Sequence, residues 1–136
     1  MDYAPPVARE TCPFCAALGD GPLLAENALA AAMADRFPLS RGHSLIVPKR
    51  HAATVFDLTG DEAASLWALV PVVKQLLDEA HAPGGYNVGT NAGQVAGQTV
   101  AHAHVHVIPR YQGDVADPRG GVRWVIPAKA AYWKNE

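Results

Sequence analysis

At 136 residues, with 49 % hydrophobic and 18 % charged side chains, the chain has the material for one packed domain and too little charge to be a disordered or solvating segment. Lys and Arg number 11 against 13 Asp and Glu, a formal charge of −2, which excludes the basic footprint that a nucleic-acid polymer demands. Residues Met1 to Pro6 carry neither a basic nor an apolar leader and no stretch approaches the ~20 apolar residues of a membrane span, so a single cytoplasmic domain over residues 1–136, with no membrane partner, is expected.

In chain order, the first signal is Cys12-Pro13-Phe14-Cys15. Two cysteines are too few for a secreted disulfide scaffold, and C-x-x-C in a cytosolic chain points to metal or redox chemistry. The spacing is half of a tetrahedral zinc site. A thioredoxin-like pair is disfavoured because no βαβ pattern surrounds it, and two buried thiols are the remaining alternative. Leu29 to Asp35 reads as a strand, followed by an irregular loop from Arg36-Phe37-Pro38 through Arg41-Gly42. His43 to Val47 is a second strand, stopped by Pro48 and followed by a turn at Lys49-Arg50-His51.

Thr59-Gly60-Asp61-Glu62 has the capping-box form, so a helix begins there and runs to about His81. Ala63, Leu66, Trp67, Val70, Val73, Leu77 and Ala80 recur at spacings of three and four and form its apolar stripe. Pro71 predicts a kink inside one helix rather than two helices. His81 reads as a partner of the helix C-terminal dipole or a solvated residue. Pro83-Gly84-Gly85 ends the helix, Tyr86 to Thr90 forms a strand, and Asn91 to Gly97 a polar, glycine-containing loop. Val100 to Ile108 is a strand by alternation, with Pro109 terminating its ladder, and Val122, Trp124 and Ile126 predict a last short strand. The sum is an α+β domain with a mainly antiparallel sheet.

The alternation over residues 100–108 puts His102, His104 and His106 on one face at a pitch of ~6–7 Å, opposite Ala101, Ala103, Val105 and Val107. The rings suit three roles: solvated surface residues, metal ligands, or a nucleophile with flanking charge. A neutral imidazole, of ordinary pKa ~6.5, is a competent nucleophile at pH 7 when its far nitrogen is hydrogen-bonded.

Gln98-Thr99-Val100-Ala101-His102-Ala103-His104-Val105-His106-Val107-Ile108-Pro109-Arg110 resembles the signature of the histidine triad superfamily, His-φ-His-φ-His-φ-φ with φ apolar. The segment Asp35 to His51, with Pro38, Gly42-His43 and Pro48-Lys49-Arg50-His51, is similar to a second block of that family, and Asn87 to Gly97 to its phosphate loop. The likeness covers residues 12–110 and leaves the tail 111–136 unassigned. It implies a sheet of about five strands with one long helix. It also implies hydrolysis of a nucleotide conjugate at the α-phosphate through a nucleotidyl-histidine, releasing a nucleoside monophosphate. His104 is the implied nucleophile, its far nitrogen held by the His102 carbonyl, with His106 and His43 donating to phosphate oxygens. By the same resemblance Gln98 and Thr99 reach the phosphates or the bridging oxygen, Asn91 phosphate or ribose, and Asp35 the ribose hydroxyls.

In the bacterial-type branch of that family, and in the related hexose-phosphate uridylyltransferases, the C-x-x-C pair is joined by two histidines. Here they are His51 and His102, which implies a structural zinc on Cys12, Cys15, His51 and His102 in a short N-terminal segment. The implied substrates are purine nucleotide conjugates, either dinucleoside polyphosphates, with which magnesium is possible, or nucleoside phosphoramidates. The other readings are a zinc-stabilised nucleotide-binding module with little turnover, a nucleotidyltransferase or phosphorylase on the same scaffold, and a metallohydrolase using all three histidines. Phe14, Leu29, Phe37 and Ile46 are the candidates for an apolar base pocket. The resemblance further implies a homodimer through the long helix, where Trp67 lies. Trp124, Tyr132 and Trp133 either pack or cover a partner's pocket, with packing the expectation.

Overall fold

The computed structural model describes residues 11–135, so the leader reading at Met1 to Pro6 lies outside the described residues. The chain runs α1 (Pro13–Asp20), β1 (Ala25–Glu26), β2 (Ala30–Ala34), β3 (Ser44–Pro48), α2 (Gly60–His81), β4 (Gly85–Gly89), β5 (Val105–Arg110) and α3 (Pro127–Ala130), with short 3-10 turns between. The five strands form one sheet in the order β1-β2-β3-β5-β4, and each pairing is antiparallel. This is the expected α+β architecture. Among the described residues no helix is long and apolar enough to cross a membrane.

Helix α2 starts where the capping box places it. The Thr59 hydroxyl accepts from the Glu62 N–H, and the Glu62 carboxylate accepts from the Thr59 N–H. It continues through Pro71 as one helix. Leu66, Leu69, Val73 and Leu77 are buried against Ala30, Ala32, Ile46, Val105 and Val107 of the sheet. Leu69 was absent from the sequence-derived stripe, whereas Trp67 is 46 % exposed and Ala80 lies in solvent. The buried stripe runs through Leu66, Leu69, Val73 and Leu77 instead, still at spacings of three and four. The opposite sheet face is covered only in part, by α1 through Phe14, Ala17 and Leu18 against Met33, Leu45 and Val47. Alternation in β2 and β3 thus gives one face to the helix and leaves the other for a cleft.

Three expectations need correction. The predicted strand at Val122 to Ile126 is a 3-10 turn over Gly121–Val125, entered through Gly120 at φ +98. Among the described residues it pairs with no strand, and the fifth strand is instead the two-residue β1. The strand predicted from Val100 begins only at Val105, because β3 ends at Pro48 and its pairing with β5 starts at Ile46 and Val105. Upstream, the Ala103 N–H donates instead to Ala52 O at 2.7 Å. Pro109 does not terminate β5 but lies within it. The Arg110 carbonyl accepts from Gly84 on the β4 side, so by alternation the missing Pro109 N–H faces the side where β3 pairing has already ended.

The turn that carries His51 is tied to the helix. Arg50 donates from Nε and Nη2 to the two Glu62 oxygens, both at 2.8 Å, and from Nη2 to Asp57 O at 3.0 Å. The Arg50 bond, then the Thr59 amide, hold the Glu62 pKa at about 2 against the opposing effect of burial. A depressed carboxylate stabilises the fold above its unfolded pKa of about 4.5, and that contribution is lost as pH falls towards 2. Glu62→Gln is therefore expected to melt several degrees below the parent at pH 7, with the gap closing as thermal scans are taken from pH 4.5 to 2. A gap independent of pH would show that the charge is not its source.

Candidate active site and metal centre

The segment 101–104 does not present three rings on one open face. His102 is wholly buried and turned away from its neighbours. Its Nδ1 lies 3.4 Å from Cys12 Sγ, 3.6 Å from Cys15 Sγ and 3.2 Å from His51 Nδ1, and Cys15 Sγ lies 3.3 Å from His51 Nδ1. Zinc bonds of about 2.3 Å to sulfur and 2.0 Å to nitrogen put tetrahedral ligand atoms roughly 3.3–3.7 Å apart. The four donors fit that size, all lying within 4.8 Å of one another. The His102 tautomer agrees. The Pro48 carbonyl, which can only accept, is 2.9 Å from His102 Nε2, so the proton is on Nε2 and the Nδ1 lone pair faces the cluster. Cys12 also caps α1, accepting from the Cys15 N–H at 3.4 Å, with Pro13 at the first helical position.

The same reasoning assigns the other imidazoles. His104 Nδ1 donates to the His102 carbonyl at 2.8 Å, which leaves the Nε2 lone pair of a cleft-lining residue free. The Thr90 hydroxyl holds the His104 carbonyl at 2.6 Å. His43 has the opposite polarity: its Nδ1 accepts from the Leu39 N–H at 3.0 Å, so Nε2 carries the proton and donates to His106 Nδ1 at 2.9 Å. His106 Nδ1 is then an acceptor, and its own proton sits on Nε2. Two neighbouring rings are thereby divided into an acceptor, His104, and a donor, His106, by a backbone carbonyl acting directly on the first and the Leu39 amide acting through His43 on the second. Asp35 Oδ2 lies 3.4 Å from His43 Nε2 and 4.0 Å from His106 Nδ1, but a proton kept on His43 Nε2 by the Leu39 amide makes this cluster a poor metal set.

Burial holds the pKa of His43, His104 and His106 below the ordinary imidazole value, with Asp35 opposing in each case. His106 is pushed down to about 4, by burial first and then by His104 and His43. At pH 7 all three are neutral, so His104 keeps its lone pair.

These groups line a cavity of about 690 Å³, with an apolar wall of Pro13, Phe14, Ala17, Met33 and Leu45 and a polar one of Asn91, Gly97 and Thr99. That is the volume of a small-molecule site. Phe14 packs edge-on to His104, ring centroids 4.9 Å apart. Of the residues expected on sequence, Asp35, His43, Asn91, Thr99, His104, His106, Phe14 and Phe37 meet in this cavity. Gln98 does not line it. The side chain is buried, its Oε1 accepting from Gly93 N–H and its Nε2 donating to Ala53 O and Val100 O, so it braces the loop. Gly93 and Gly97 turn that loop at φ +96 and +92. Ile46 is buried on the helix face and Leu29 lies outside the cavity, so neither lines it. Sequence reading missed Arg36, a cavity-lining cation that forms no ion pair among the described residues, and the Leu39 amide, which no side chain advertises.

A cleft that presents one imidazole as acceptor beside another as donor is the equipment of an enzyme. The chain belongs to the HIT domain family, which matches residues 20–113. The adenosine 5'-monophosphoramidase hnt1 of Schizosaccharomyces pombe is 42 % identical over 103 residues, covering 74 % of each chain. The adenylylsulfatase HINT3 of Arabidopsis thaliana is 35 % identical over 109 residues, 78 % of this chain and 55 % of its own, so the chain spans about half of that relative. A Zn-bound histidine triad family protein from Mycobacterium smegmatis, 31 % identical, superposes with a TM-score of 0.69 over 95 % of this chain and 100 % of its own.

Proposed function

We propose that the chain hydrolyses a nucleotide conjugate at its α-phosphate through a nucleotidyl-His104 intermediate, releasing a nucleoside monophosphate. The observation that carries this reading is the opposed tautomers: His104 offers a free Nε2 lone pair while His106 Nε2 offers a proton to the same cleft. His104 Nε2 attacks phosphorus, and the bond to the leaving atom breaks with its electron pair. That atom then takes a proton from solvent. Neutral His106 has no proton to spare, so it acts as a preset hydrogen-bond donor to the oxygens on which charge accumulates. Water then replaces His104 at phosphorus, giving the monophosphate and a proton. Asp35, Asn91 and Thr99 hold ribose and phosphate, and Phe14 and Phe37 the base. The names of two relatives, a phosphoramidase and an adenylylsulfatase, support a nucleotide conjugate as substrate.

Cys12, Cys15, His51 and His102 hold a structural zinc in this reading. With its four ligands filled, the ion supplies folding free energy and rigidity beside His104 and takes no part in bond making. Magnesium enters with a polyphosphate substrate if one is used. The working form is a cytoplasmic homodimer of one domain, core 12–110 and tail 111–136, with no nucleic-acid polymer or membrane as partner. Mixing the protein with an adenosine phosphoramidate and with diadenosine tetraphosphate, quenching rapidly and recording intact mass is expected to show an adenylyl adduct and free AMP. Nucleotide bound without adduct or product from either conjugate would overturn hydrolysis in favour of a binding module.

A further inference from the structure

His104 lies just outside the sheet that supports it. Pairing of β5 with β3 ends at Ile46 and Val105, and pairing with β4 ends at Gly89 and His106, so neither ladder reaches the main chain of His104. The bond from His104 Nδ1 to the His102 carbonyl, at 2.8 Å, is made within one short segment. It fixes the ring relative to its own backbone but not relative to the cleft. Upstream, that segment is tied to the turn after β3, through His102 Nε2 to Pro48 O and Ala103 N–H to Ala52 O. At His104 itself the tie runs to the end of β4: the Thr90 hydroxyl donates to the His104 carbonyl at 2.6 Å. A carbonyl only accepts, which sets the direction of that bond, and its length is at the short end of the O–H···O range.

Thr90 suits this task by position and by type. It is the first residue after β4 and directly precedes Asn91, which lines the cleft. Its bond therefore sets the separation between the loop that meets phosphate in the reading above and the ring that attacks it. The far end of the same loop is tied down as well, Gln98 Oε1 accepting from Gly93 N–H while Nε2 donates to Val100 O. The loop 91–97 and the segment 98–104 are thus clamped together at both ends, by Gln98 at one and Thr90 at the other. A β-branched side chain has few χ1 states, so the hydroxyl is held ready at little entropic cost. Half-buried, its bond meets less competition from water than an exposed one. In-line attack depends on such placement, since a shift of ~1 Å at a reacting atom costs about 10²-fold in rate.

Resting on the hydrolase reading above, we infer that Thr90 is a positioning residue: its hydroxyl moors the His104 main chain so that Nε2 is aimed at a phosphorus held by the neighbouring loop. The test is single-turnover formation of the adenylyl adduct from an adenosine phosphoramidate, with AMP affinity measured alongside, in the parent, Thr90→Val and Thr90→Ser. Valine keeps the shape of the side chain and removes the donor. The saturating rate of adduct formation in Thr90→Val is expected to fall by about 10- to 100-fold, with the half-saturating concentration and AMP affinity within about threefold of the parent. Serine restores the donor and should bring the rate back to within a few-fold. An adduct rate in Thr90→Val within about twofold of the parent, equal losses in the valine and serine variants, or a rate loss matched by a loss of AMP affinity overturns the positioning role and leaves the hydrolase reading standing. No adduct and no AMP from the parent overturns the hydrolase reading and the positioning role with it.

Discussion

Replacing His104 by alanine is expected to lower kcat by roughly 10³-fold or more while leaving AMP affinity within a few-fold of the parent. The proposed ribose and phosphate contacts, at Asp35, Asn91 and Thr99, lie on other segments of the chain that line the same cavity, whereas the proposed nucleophile has no substitute. Of the two other cleft imidazoles, His43 spends both nitrogens, on the Leu39 amide and on His106, and His106 presents a proton rather than a lone pair. His106→Ala removes a donor, and loss of one such donor costs on the order of 10²-fold. It should therefore slow adduct formation without preventing it. The pair of variants separates the roles: intact-mass spectra after quenching should show an adenylyl adduct in His106→Ala and none in His104→Ala. An adduct surviving in His104→Ala would remove the nucleophile assignment, and loss of AMP binding in that variant would mean that the ring supports the pocket rather than the chemistry.

That division was only half legible in the sequence. The spacing of His102, His104 and His106 marked the residues, and the capping box at Thr59 and Glu62 fixed the start of the helix that backs them, because both signals are local. The spacing alone did not give the direction of each ring, although the family resemblance implied the His102 carbonyl as the group that holds His104, as the 2.8 Å bond bears out. His102 leaves the common face because β3 stops at Pro48 and the segment 101–104 then pairs with the following turn, through Ala103 to Ala52 and His102 to Pro48. Which nitrogen carries each proton is set by carbonyls and one amide, at Pro48, His102 and Leu39, groups that every residue possesses and no sequence distinguishes. The bracing role of Gln98 was hidden for the same reason: its backbone partners come together only once the loop is closed. The tail misled through a real alternation at Val122, Trp124 and Ile126 that had no strand to pair with.

Removing the proposed zinc is expected to have the largest effect on stability. The donors come from three places in the chain, α1 with its cap, the turn after β3, and the segment before β5, so an ion there closes long loops that few other contacts secure. Helix α1 is eight residues long with no fully buried side chain, and it forms one wall of the cleft through Pro13, Phe14 and Ala17. The chain purified without chelator should carry one zinc. Cys12→Ser, or exhaustive chelation, should lower Tm by on the order of 10 °C or more, since structural zinc contributes several kcal/mol at least and each kcal/mol is worth about 2–8 °C in domains of this size range. His51→Ala should reproduce that loss without touching the cleft, which makes it the cleaner probe. An unchanged Tm on chelation would remove the zinc assignment. Activity should fall in these variants by a different route from that in His104→Ala: the His102 carbonyl that fixes His104 Nδ1 belongs to a proposed zinc ligand, so a loosened His102 would cost orientation of the proposed nucleophile rather than the nucleophile itself. The signature is a His51→Ala protein that still accumulates the adenylyl adduct, but slowly.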